Sequence, residues 1–365
     1  MNVQDILAEN IRRYRIIRGF DQAQIAERAN ISRVSYGKIE TGKTMPRDAM
    51  LETLAGILNV SLFDLFRPDP KPRAVLFRTH KAETVREEVS QELTKIASIR
   101  WLENYSFLQE VTKSPPPDVK LSSQLRKEEA EALEAFAERV RRTLLGSEYP
   151  VDDLPQILES YGVKVRLVPF LTPKCFGFNF GEADGVPAIF VNTGFDIPKE
   201  RQLFSLVHEL GHLLLHSTDG DEKGNGDKQE EEANQFAAAF LIPCNAFHAC
   251  WNARGDMLWF DRVLAVKRIF KVSYMTVLHI LGNGGKKKIV YTWFRQGYKK
   301  RFGRDLSATV EPCPAEIVFG TGNYVILARK AFESEAITES RLAELLEETH
   351  AQIRERIKDW SLSTL

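Results

Sequence analysis

Apolar positions in the first 66 residues recur every three or four residues and predict five short helices separated by turns. Residues of the type that caps helix N-termini precede three of them: Asp21, Ser32 and Ser61. A stretch rich in proline and charge, "RPDPKPR" at residues 67–73, then breaks the helical pattern. The pattern therefore predicts an all-α domain at residues 1–66, followed by a linker and helical region at 67–150.

After Tyr161 the period changes, and short runs of β-branched and aromatic residues replace the helical pattern. The runs are "VKVRLVPF", "CFGFNF" and "VPAIFVN", and the turn-like "GEADG" between the last two predicts a β-hairpin at residues 175–192. Helical periodicity returns at about residues 199–216 and 229–241. This mixture of strands and helices predicts a further domain at residues 151–285.

The C-terminal part, residues 286–365, mixes both kinds of pattern. Aromatic and β-branched residues in "IVYTWF", "EIVFG" and "YVILA" predict strands, and helical spacing at about residues 338–357 predicts a closing helix. We therefore expect a mixed strand and helix region at the end of the chain.

The composition limits the class of protein. The chain has 365 residues, 43% of them hydrophobic, which is too long for one ordinary core and predicts two or three domains. Its 50 basic and 50 acidic residues balance, so any surface that binds nucleic acid must be local. Without an apolar run of about 18 residues or a signal-peptide core, we expect a cytoplasmic protein that does not bind membranes. The four cysteines lack C-x-x-C spacing and are expected to be reduced, buried thiols.

The strongest chemical signal is "VHELGHLLLH" at residues 207–216, which contains the motif H-E-x-x-H inside a predicted helix. His208 and His212 are four residues apart and share one helix face, so they can bind one zinc ion together. Zinc lowers the pKa of a bound water to about 7, and Glu209 is placed to take its proton during attack on a peptide carbonyl. The motif predicts a zinc metallopeptidase with one ion per chain.

A catalytic zinc site needs a third protein ligand, and the nearest histidine does not supply it. His216 follows His208 by eight residues, about 12 Å along the helix axis, which is too far for one ion with bonds of about 2 Å. The metzincin pattern also fails, because it would need glycine at Leu215 and histidine at Thr218. We therefore interpret His216 as a partly exposed histidine near the helix end.

The next predicted helix, with "QEEEANQFAAAFL", offers a carboxylate for the third position. On a helical wheel Glu230 lies about 50° from the centre of the apolar face, Glu232 about 110° and Glu231 about 150°. A carboxylate at the edge of a buried face is costly unless it is paired or binds a metal, which favours Glu230. Asn234, one turn further, points the same way and could hydrogen-bond a ligand histidine. We interpret Glu231 and Glu232 as solvated residues in a first turn that the helix dipole favours.

The loop before this helix suggests a competing metal site. Residues 219–230 match positions 1, 3, 6 and 12 of a calcium-binding EF-hand loop. Position 5 is Lys223, however, and position 8 is Gly226, where an apolar residue normally belongs. An ordinary loop is the better interpretation.

These motifs occur in an order that resembles the ImmA/IrrE metallopeptidases. The resemblance covers Tyr161–Pro243 and rests on the strand, the hairpin, the H-E-x-x-H helix and the E-x-x-A-N helix. It implies a zincin-like fold of the gluzincin type, in which His208, His212 and Glu230 bind zinc and Glu209 is the general base. Family members cleave helix-turn-helix repressors, or otherwise relieve the repression that these proteins cause, after DNA damage or another stress. The resemblance therefore implies a regulatory protein as the substrate.

Residues 3–66 resemble the Xre/Cro helix-turn-helix family, most clearly in "IRRYRIIRGFDQAQIAERANISRVSYGKIETGKTMP". In that fold the helix at about residues 32–40 enters the major groove, and the start of the preceding helix lies near the phosphates. Residues 12–47 include nine basic and three acidic residues, an excess suited to phosphate contacts. Gly37 costs roughly 1 kcal/mol relative to alanine and leaves the geometry of this helix open. The side chains expected to contact DNA are Gln22, Ser32, Arg33, Ser35 and Lys38.

The expected fold class is multidomain α+β: an all-α helix-turn-helix domain, a zincin-like metallopeptidase domain and a mixed α/β C-terminal region. One function that fits is a cytoplasmic regulator that binds DNA through residues 1–66 and cleaves a regulatory protein in a stress response. The other is a DNA-binding repressor or antitoxin-like protein whose zinc domain senses a ligand or partner without proteolysis. The presence of Glu209 favours the first. Helix-turn-helix domains often dimerise on paired half-sites, so the sequence leaves open whether this chain forms a homodimer.

Overall fold

The computed structural model describes residues 2–68, 84–117, 121, 125–146, 153–181, 187–216, 226–282, 287–307 and 310–362. These residues form two compact units, one from residues 2–68 and 84–103 and one from residue 104 onward. No helix in these ranges has both the length and the apolar composition that crossing a membrane requires. Most of the predicted linker, the hairpin turn at 182–186 and residues 219–225 of the EF-hand-like loop lie outside the described residues.

The beginning of the first unit consists of the five short helices that the sequence predicts. They are α1 (Val3–Arg18), α2 (Gln22–Arg28), α3 (Arg33–Glu40), α4 (Asp48–Leu58) and α5 (Leu62–Phe66). Asp21, Ser32 and Ser61 cap α2, α3 and α5, because each side chain accepts a hydrogen bond from the backbone N–H three residues later. Buried apolar residues such as Ile25 and Leu54 join the helices in one core. The predicted caps and helices are therefore confirmed.

A long helix, α6 (Val85–Val111), is divided between the two units at residue 103. The second unit continues with a mixed succession of helices and strands. These are α7 (Leu133–Leu145), α8 (Leu154–Ser160), β1 (Lys164–Val168), β2 (Gly177–Phe180), β3 (Ala188–Asn192), α9 (Lys199–Leu215), α10 (Gly226–Leu241), α11 (Cys244–Asn252), α12 (Trp259–Phe270), α13 (Tyr274–Leu281), α14 (Lys287–Phe302), α15 (Asn323–Glu333), α16 (Glu339–Leu346) and α17 (His350–Leu362). The predicted multidomain α+β class is confirmed.

The three strands form one mixed sheet in the order β1–β3–β2. β3 runs parallel to β1 and antiparallel to β2, with Phe178 opposite Phe190, so the predicted hairpin pairing is present. All five residues of β3 are buried, which explains why residues 188–191 are continuously apolar rather than alternating. The central strand therefore lies within the core, and β2 ends the strand order on one side.

Helix α9 packs between the sheet and α10, and α10 packs in turn on α7. A Cβ atom added to Gly211 of α9 would lie 2.9 Å from Cδ1 of Phe236 of α10. Only a residue without a side chain lets the two helices come this near. The glycine inside the H-E-x-x-H motif thus sets the distance between the two helices that carry the predicted ligands.

A buried ion pair network holds the N-terminus of α9 in place. Lys267 of α12 is fully buried, and its Nζ lies 3.0 Å from Glu200 Oε1 of α9 and 3.0 Å from Glu311 Oε1. The same Nζ donates to the carbonyl oxygens of Pro312 and Cys313. A buried charge requires this degree of pairing. The network therefore connects α9, α12 and the segment before α15 at one point.

The predicted strands in the C-terminal region are wrong. "IVYTWF" lies in α14 and "YVILA" in α15, while "EIVFG" at residues 316–320 has neither helical nor strand structure. In α14 the buried residues are Val290, Phe294 and Tyr298, a spacing of four that gives one helix face. Helical spacing of the residues that reach the core therefore outweighs the strand preference of aromatic and β-branched residues. Helices are the only regular elements in the described part of residues 286–365, and the predicted closing helix is two helices, α16 and α17.

The four cysteines are free thiols, as predicted. Cys175 is buried and Cys250 is half-buried, but Cys244 and Cys313 are exposed. The prediction of buried thiols is therefore wrong for two of them.

Candidate metal centre and helix-turn-helix surface

Helix α9 places the two histidines of the H-E-x-x-H motif side by side. Its inward face is apolar, and fully buried residues such as Leu206 and Leu210 fix the rotation of the helix against the core. His208 and His212 then lie one turn apart on the same face, with their Nε2 atoms 3.1 Å apart. The side chain of His212 is 2% exposed and that of His208 is 14% exposed. The pair therefore lies at the boundary of the core.

Helix α10 brings Glu230 to the same point. Its Oε2 lies 3.3 Å from Nε2 of His208, and its Oε1 lies 3.3 Å from Nε2 of His212. Donor atoms of all three residues lie within 4.8 Å of one another. The structure thus brings together the three side chains that the sequence proposes as metal ligands.

The separations between these atoms match what a metal ion requires. Ligands bound at about 2 Å in a tetrahedral arrangement are about 3.3 Å from one another. Here the two Nε2 atoms and the carboxylate oxygens are separated by 3.1 and 3.3 Å. Two imidazoles and a carboxylate are also a donor set that zinc binds in proteins. The residues of this chain therefore fit a divalent metal ion.

Asn234 orients one of the two histidines. Its Oδ1 lies 3.1 Å from Nδ1 of His208. An amide oxygen only accepts hydrogen bonds, so Nδ1 carries a proton and the neutral imidazole has its lone pair on Nε2, the atom nearest Glu230. This contact lies where the helical spacing of Glu230 and Asn234 predicts it.

The charges around the three residues favour a cation. Burial lowers the pKa of His208, but hydrogen bonding to Glu230 and the charges of Glu209 and Glu230 outweigh it, so this pKa is raised. Burial alone would raise the pKa of Glu230, yet its hydrogen bonds to the two histidines hold the pKa far below its usual range. Burial lowers the pKa of His212 to about 4, against an opposing effect of Glu230. An ionised Glu230 beside a neutral His212 is the protonation pattern that metal binding needs.

Four of the five predicted DNA-contacting side chains lie around α3. Ser32, Arg33, Ser35 and Lys38 are exposed, and Ser32 both caps the helix and lies 2.9 Å from the hydroxyl of Ser35. A Cβ atom at Gly37 would meet nothing within 4 Å, and α3 continues through this residue without a break. The glycine therefore does not interrupt the helix that carries these side chains.

Gln22 differs from the other four residues. It is half-buried at the start of α2, and its Nε2 donates to Glu40 Oε2 at 3.4 Å. Glu40 is itself paired with Arg15, whose guanidinium also donates to the carbonyl oxygen of Phe20. Gln22 is thus part of a polar cluster that connects α1, α2 and α3.

Comparisons with known proteins find a family match in each of two segments of the chain. Residues 158–281 match the Peptidase M78 family, described as an IrrE N-terminal-like domain, and residues 11–65 match a helix-turn-helix family. The chain combines a helix-turn-helix domain with an IrrE-like peptidase domain. No curated protein matches it. The crystal structure of ComR from Streptococcus suis aligns with 100% of this chain and 97% of that one, at 10% identity and a TM-score of 0.17, which is too low to show a shared fold.

The two family matches confirm the resemblances read from the sequence motifs. The helix-turn-helix match indicates a DNA-binding regulator, and the M78 match indicates a domain of the metallopeptidase type. The H-E-x-x-H helix and α10 both lie inside the matched range.

In the IrrE-like domain, Glu209 lies against strand β2. It is 6% exposed, and Asn179 donates a hydrogen bond of 2.7 Å from Nδ2 to Glu209 Oε2. The facing residue, Gly177, leaves room for the glutamate side chain. The sequence analysis missed both residues, although "GFNF" placed a glycine and an asparagine in an otherwise aromatic strand.

Two residues that the sequence analysis set aside also have partners in this domain. The side chain of His216 is only 6% exposed; its Nδ1 lies 3.1 Å from Nδ1 of His212, and its Nε2 lies 3.0 Å from Glu232 Oε2. Glu232 also lies 3.7 Å from Lys228. The interpretation of Glu232 as merely solvated is therefore wrong, whereas Glu231 is exposed as predicted.

Proposed function

We propose that this chain is a cytoplasmic DNA-binding regulator whose IrrE-like domain is a zinc-dependent peptidase. The observation that carries the proposal is the convergence of His208, His212 and Glu230 next to the buried carboxylate of Glu209. One zinc ion per chain would be held by the two histidines and Glu230. When bound, it would supply a Lewis acid that polarises a peptide carbonyl and activates water.

Glu209 is the proposed general base of the reaction. It follows the ligand His208 directly in the sequence, so its carboxylate can take a proton from the attacking water. The hydrogen bond from Asn179 Nδ2 to Oε2 and the core around the helix hold this carboxylate in one orientation. Asn234 does the same for His208 through the contact with Nδ1. These residues position the base and one ligand before a substrate arrives.

The proposed substrate is a regulatory protein, and a helix-turn-helix repressor is the class that the family resemblance implies. One structural feature supports a peptide substrate. β2 ends the strand order β1–β3–β2, and Glu209 lies against this strand. A peptide that added to the outer edge of β2 would run past the proposed base and gain main-chain hydrogen bonds that do not depend on its sequence. Cleavage would then act in a stress response.

DNA binding is the proposed role of residues 1–66. Arg33 and Lys38 are exposed on α3 together with two serines, so they can approach phosphates and base edges. Gln22 would have to leave Glu40 to make the phosphate contact that the fold implies. A homodimer would suit paired half-sites.

A search for new protein N-termini in the source cell tests the proposal. Induction of the unaltered protein is compared with induction of Glu209→Gln, each with and without DNA damage. The substitution keeps the size of the side chain and removes the basic carboxylate, so zinc content should stay the same and cleavage should cease. A peptide bond cut by the unaltered protein alone would also identify the substrate. Equal cleavage by both proteins would refute the assignment of Glu209.

A ligand-sensing repressor is the second candidate, and a cavity in the second unit favours it. The cavity has a volume of about 730 Å³, within the range of small-molecule sites, and Tyr105, Glu159, Lys164 and Asn323 are among its lining residues. Lys164 Nζ lies 4.3 Å from the centre of the Tyr105 ring, and Asn323 donates to Tyr105 Oη at 2.9 Å. If this function is correct, Glu209→Gln will leave the transcriptional effect of the protein unchanged.

A further inference from the structure

The proposed ligand His212 is the first member of a hydrogen-bonded series that crosses from α9 to α10. Its Nδ1 lies 3.1 Å from Nδ1 of His216, and Nε2 of His216 lies 3.0 Å from Oε2 of Glu232. The His212 and His216 side chains are 2% and 6% exposed, whereas Glu232 is 36% exposed. Two buried imidazoles therefore connect the predicted metal position to a carboxylate near the surface.

If His212 is a metal ligand, the protons of this series can be placed on the ring nitrogens in one consistent way. Ligation through Nε2 uses the lone pair of that atom, so the single proton of the neutral ring lies on Nδ1. Nδ1 then donates to His216 Nδ1, which must accept. The proton of His216 consequently lies on Nε2, where it faces the carboxylate of Glu232. The two contacts of the series, His212 to His216 and His216 to Glu232, then each have one donor and one acceptor.

We propose that His216 and Glu232 are positioning residues of the metal centre. His216 holds His212 in the Nδ1–H tautomer and in the ring orientation that points Nε2 at the metal, and Glu232 holds His216 in the matching tautomer. This inference rests on the proposed metal centre. It gives His216 and Glu232 the role toward His212 that Asn234, also on α10, has toward His208. Both ligand histidines are thus oriented through Nδ1 by a side chain of α10. Asn234 acts on His208 directly, and Glu232 acts on His212 through the imidazole of His216.

The three consecutive glutamates of α10 have different tasks in this arrangement. Glu230 contacts Nε2 of both ligand histidines, and Glu232 contacts the histidine behind one of them. Glu231 is exposed, and its one described hydrogen bond is from Gln235 at 3.4 Å. Glu231 therefore serves as the matched control for both neighbours.

The test measures zinc affinity by competition with a chromophoric chelator, using the full chain and four variants. His216→Leu keeps an apolar body of similar size without an acceptor, and His216→Asn places an amide oxygen where Nδ1 was. Glu232→Ala removes the carboxylate, and Glu231→Ala is the control. We expect His216→Leu to weaken zinc binding about 10- to 100-fold, the range typical when a residue that hydrogen-bonds a metal ligand is lost. His216→Asn should retain most of the affinity of the unaltered protein. Glu232→Ala should weaken binding to a smaller extent, and Glu231→Ala should not change it.

Two further measurements separate positioning from a purely structural role. The visible absorption spectrum of the cobalt(II)-loaded protein reports ligand geometry, so it should change in His216→Leu and stay unchanged in Glu231→Ala. Glu232→Ala should have no additional effect in the His216→Asn background, because the carboxylate acts only through the imidazole. Glu232 lies near the surface, so its variant stays informative if His216→Leu fails to fold.

The outcomes distinguish this inference from the function on which it rests. If the unaltered protein takes up no zinc, the proposed metal centre itself is wrong. If it binds zinc but His216→Leu and Glu232→Ala bind it as tightly as Glu231→Ala, with the same cobalt spectrum, the positioning role is overturned and the metal centre stands. Equal losses in His216→Leu and His216→Asn would also overturn it, because packing rather than hydrogen bonding would then explain the effect.

Discussion

Gly177 of β2 lies directly against the side chain of Glu209 of α9. A Cβ atom at position 177 would come within 3.0 Å of Glu209 Cγ and 3.1 Å of Glu209 Oε1. The carbonyl oxygen of Phe190 would lie 3.1 Å away as well, so the new atom could not move aside without shifting the sheet. The proposed base and the strand beside it thus occupy a space that only glycine leaves open.

We therefore expect Gly177→Ala to displace the Glu209 carboxylate and to lower the rate of peptide cleavage at least about 10-fold, since a displacement of about 1 Å can cost about 100-fold. Zinc content should be unchanged, because the three atoms nearest the new Cβ belong to Glu209 and Phe190 and not to the proposed ligands. Cleavage rate and zinc content are measured on the same preparation. Gly56→Ala is the control, since a Cβ there meets nothing within 4 Å. Full activity of Gly177→Ala would contradict the proposed position of the base.

Glu230→Gln should lower zinc affinity by more than the 10- to 100-fold typical of an outer-shell change, because it removes the negative ligand itself. Glu231→Gln, the same change one residue later on the exposed face, should leave affinity unchanged. Competition with a chelator measures both. Equal affinities in the two variants would mean that Glu230 is not a ligand.

Lys267→Met should destabilise the protein by about 3–5 kcal/mol, because Glu200 and Glu311 would stay buried without their cation. The free energy of unfolding is measured by denaturant titration. Lys299→Met is the control, since Lys299 and its partner Asp305 are 64% and 83% exposed and such a pair contributes little. A loss below about 1 kcal/mol in Lys267→Met would contradict the anchoring role of the network.

Glu159 should make the stability of the protein depend on pH in mildly acidic solution. Burial raises its pKa to about 7, against the opposing effect of backbone hydrogen bonds from Asn323 and Val165. The folded state therefore binds this proton more tightly than the unfolded state, with its ordinary pKa of 4.5. The stabilisation is complete below about pH 4.5 and is lost as the pH rises through 7, with a span of about 3 kcal/mol at most.

Glu159→Gln cannot ionise, so its stability should fall less than that of the unaltered protein between pH 4.5 and pH 8. Denaturant unfolding across this range measures the difference, and the exposed Glu129→Gln controls for the loss of one charge. Parallel pH profiles for Glu159→Gln and the unaltered protein would refute the raised pKa.

Arg33→Ala and Lys38→Ala should each weaken binding to a DNA duplex and reduce the slope of log affinity against log salt by about 1, as expected for one phosphate contact. Fluorescence anisotropy at several salt concentrations measures both quantities. Lys288→Ala removes an exposed charge far along the chain and should change neither. An unchanged slope in both α3 variants would remove α3 from the DNA-binding surface.

The sequence alone predicted the side-chain positions that depend on local spacing. The i, i+4 spacing of His208 and His212 is a property of one helix, and the position of Glu230 at the edge of an apolar face is a property of another. The caps at Asp21, Ser32 and Ser61 are equally local. Each of these inferences needs only the period of the helix, which the order of residues determines.

Tertiary structure decided the contacts between elements that are distant in the sequence. Asn179 and Gly177 meet Glu209 because β2 lies beside α9, and His216 meets Glu232 because α10 crosses α9 near Gly211. The same dependence explains why the strands predicted for the C-terminal region are wrong. Val290 and Phe294 are four residues apart, and a helix places both of them in the core. Burial of apolar side chains decides between the helix and strand propensities of a segment. Local sequence patterns do not show which surface each element will bury.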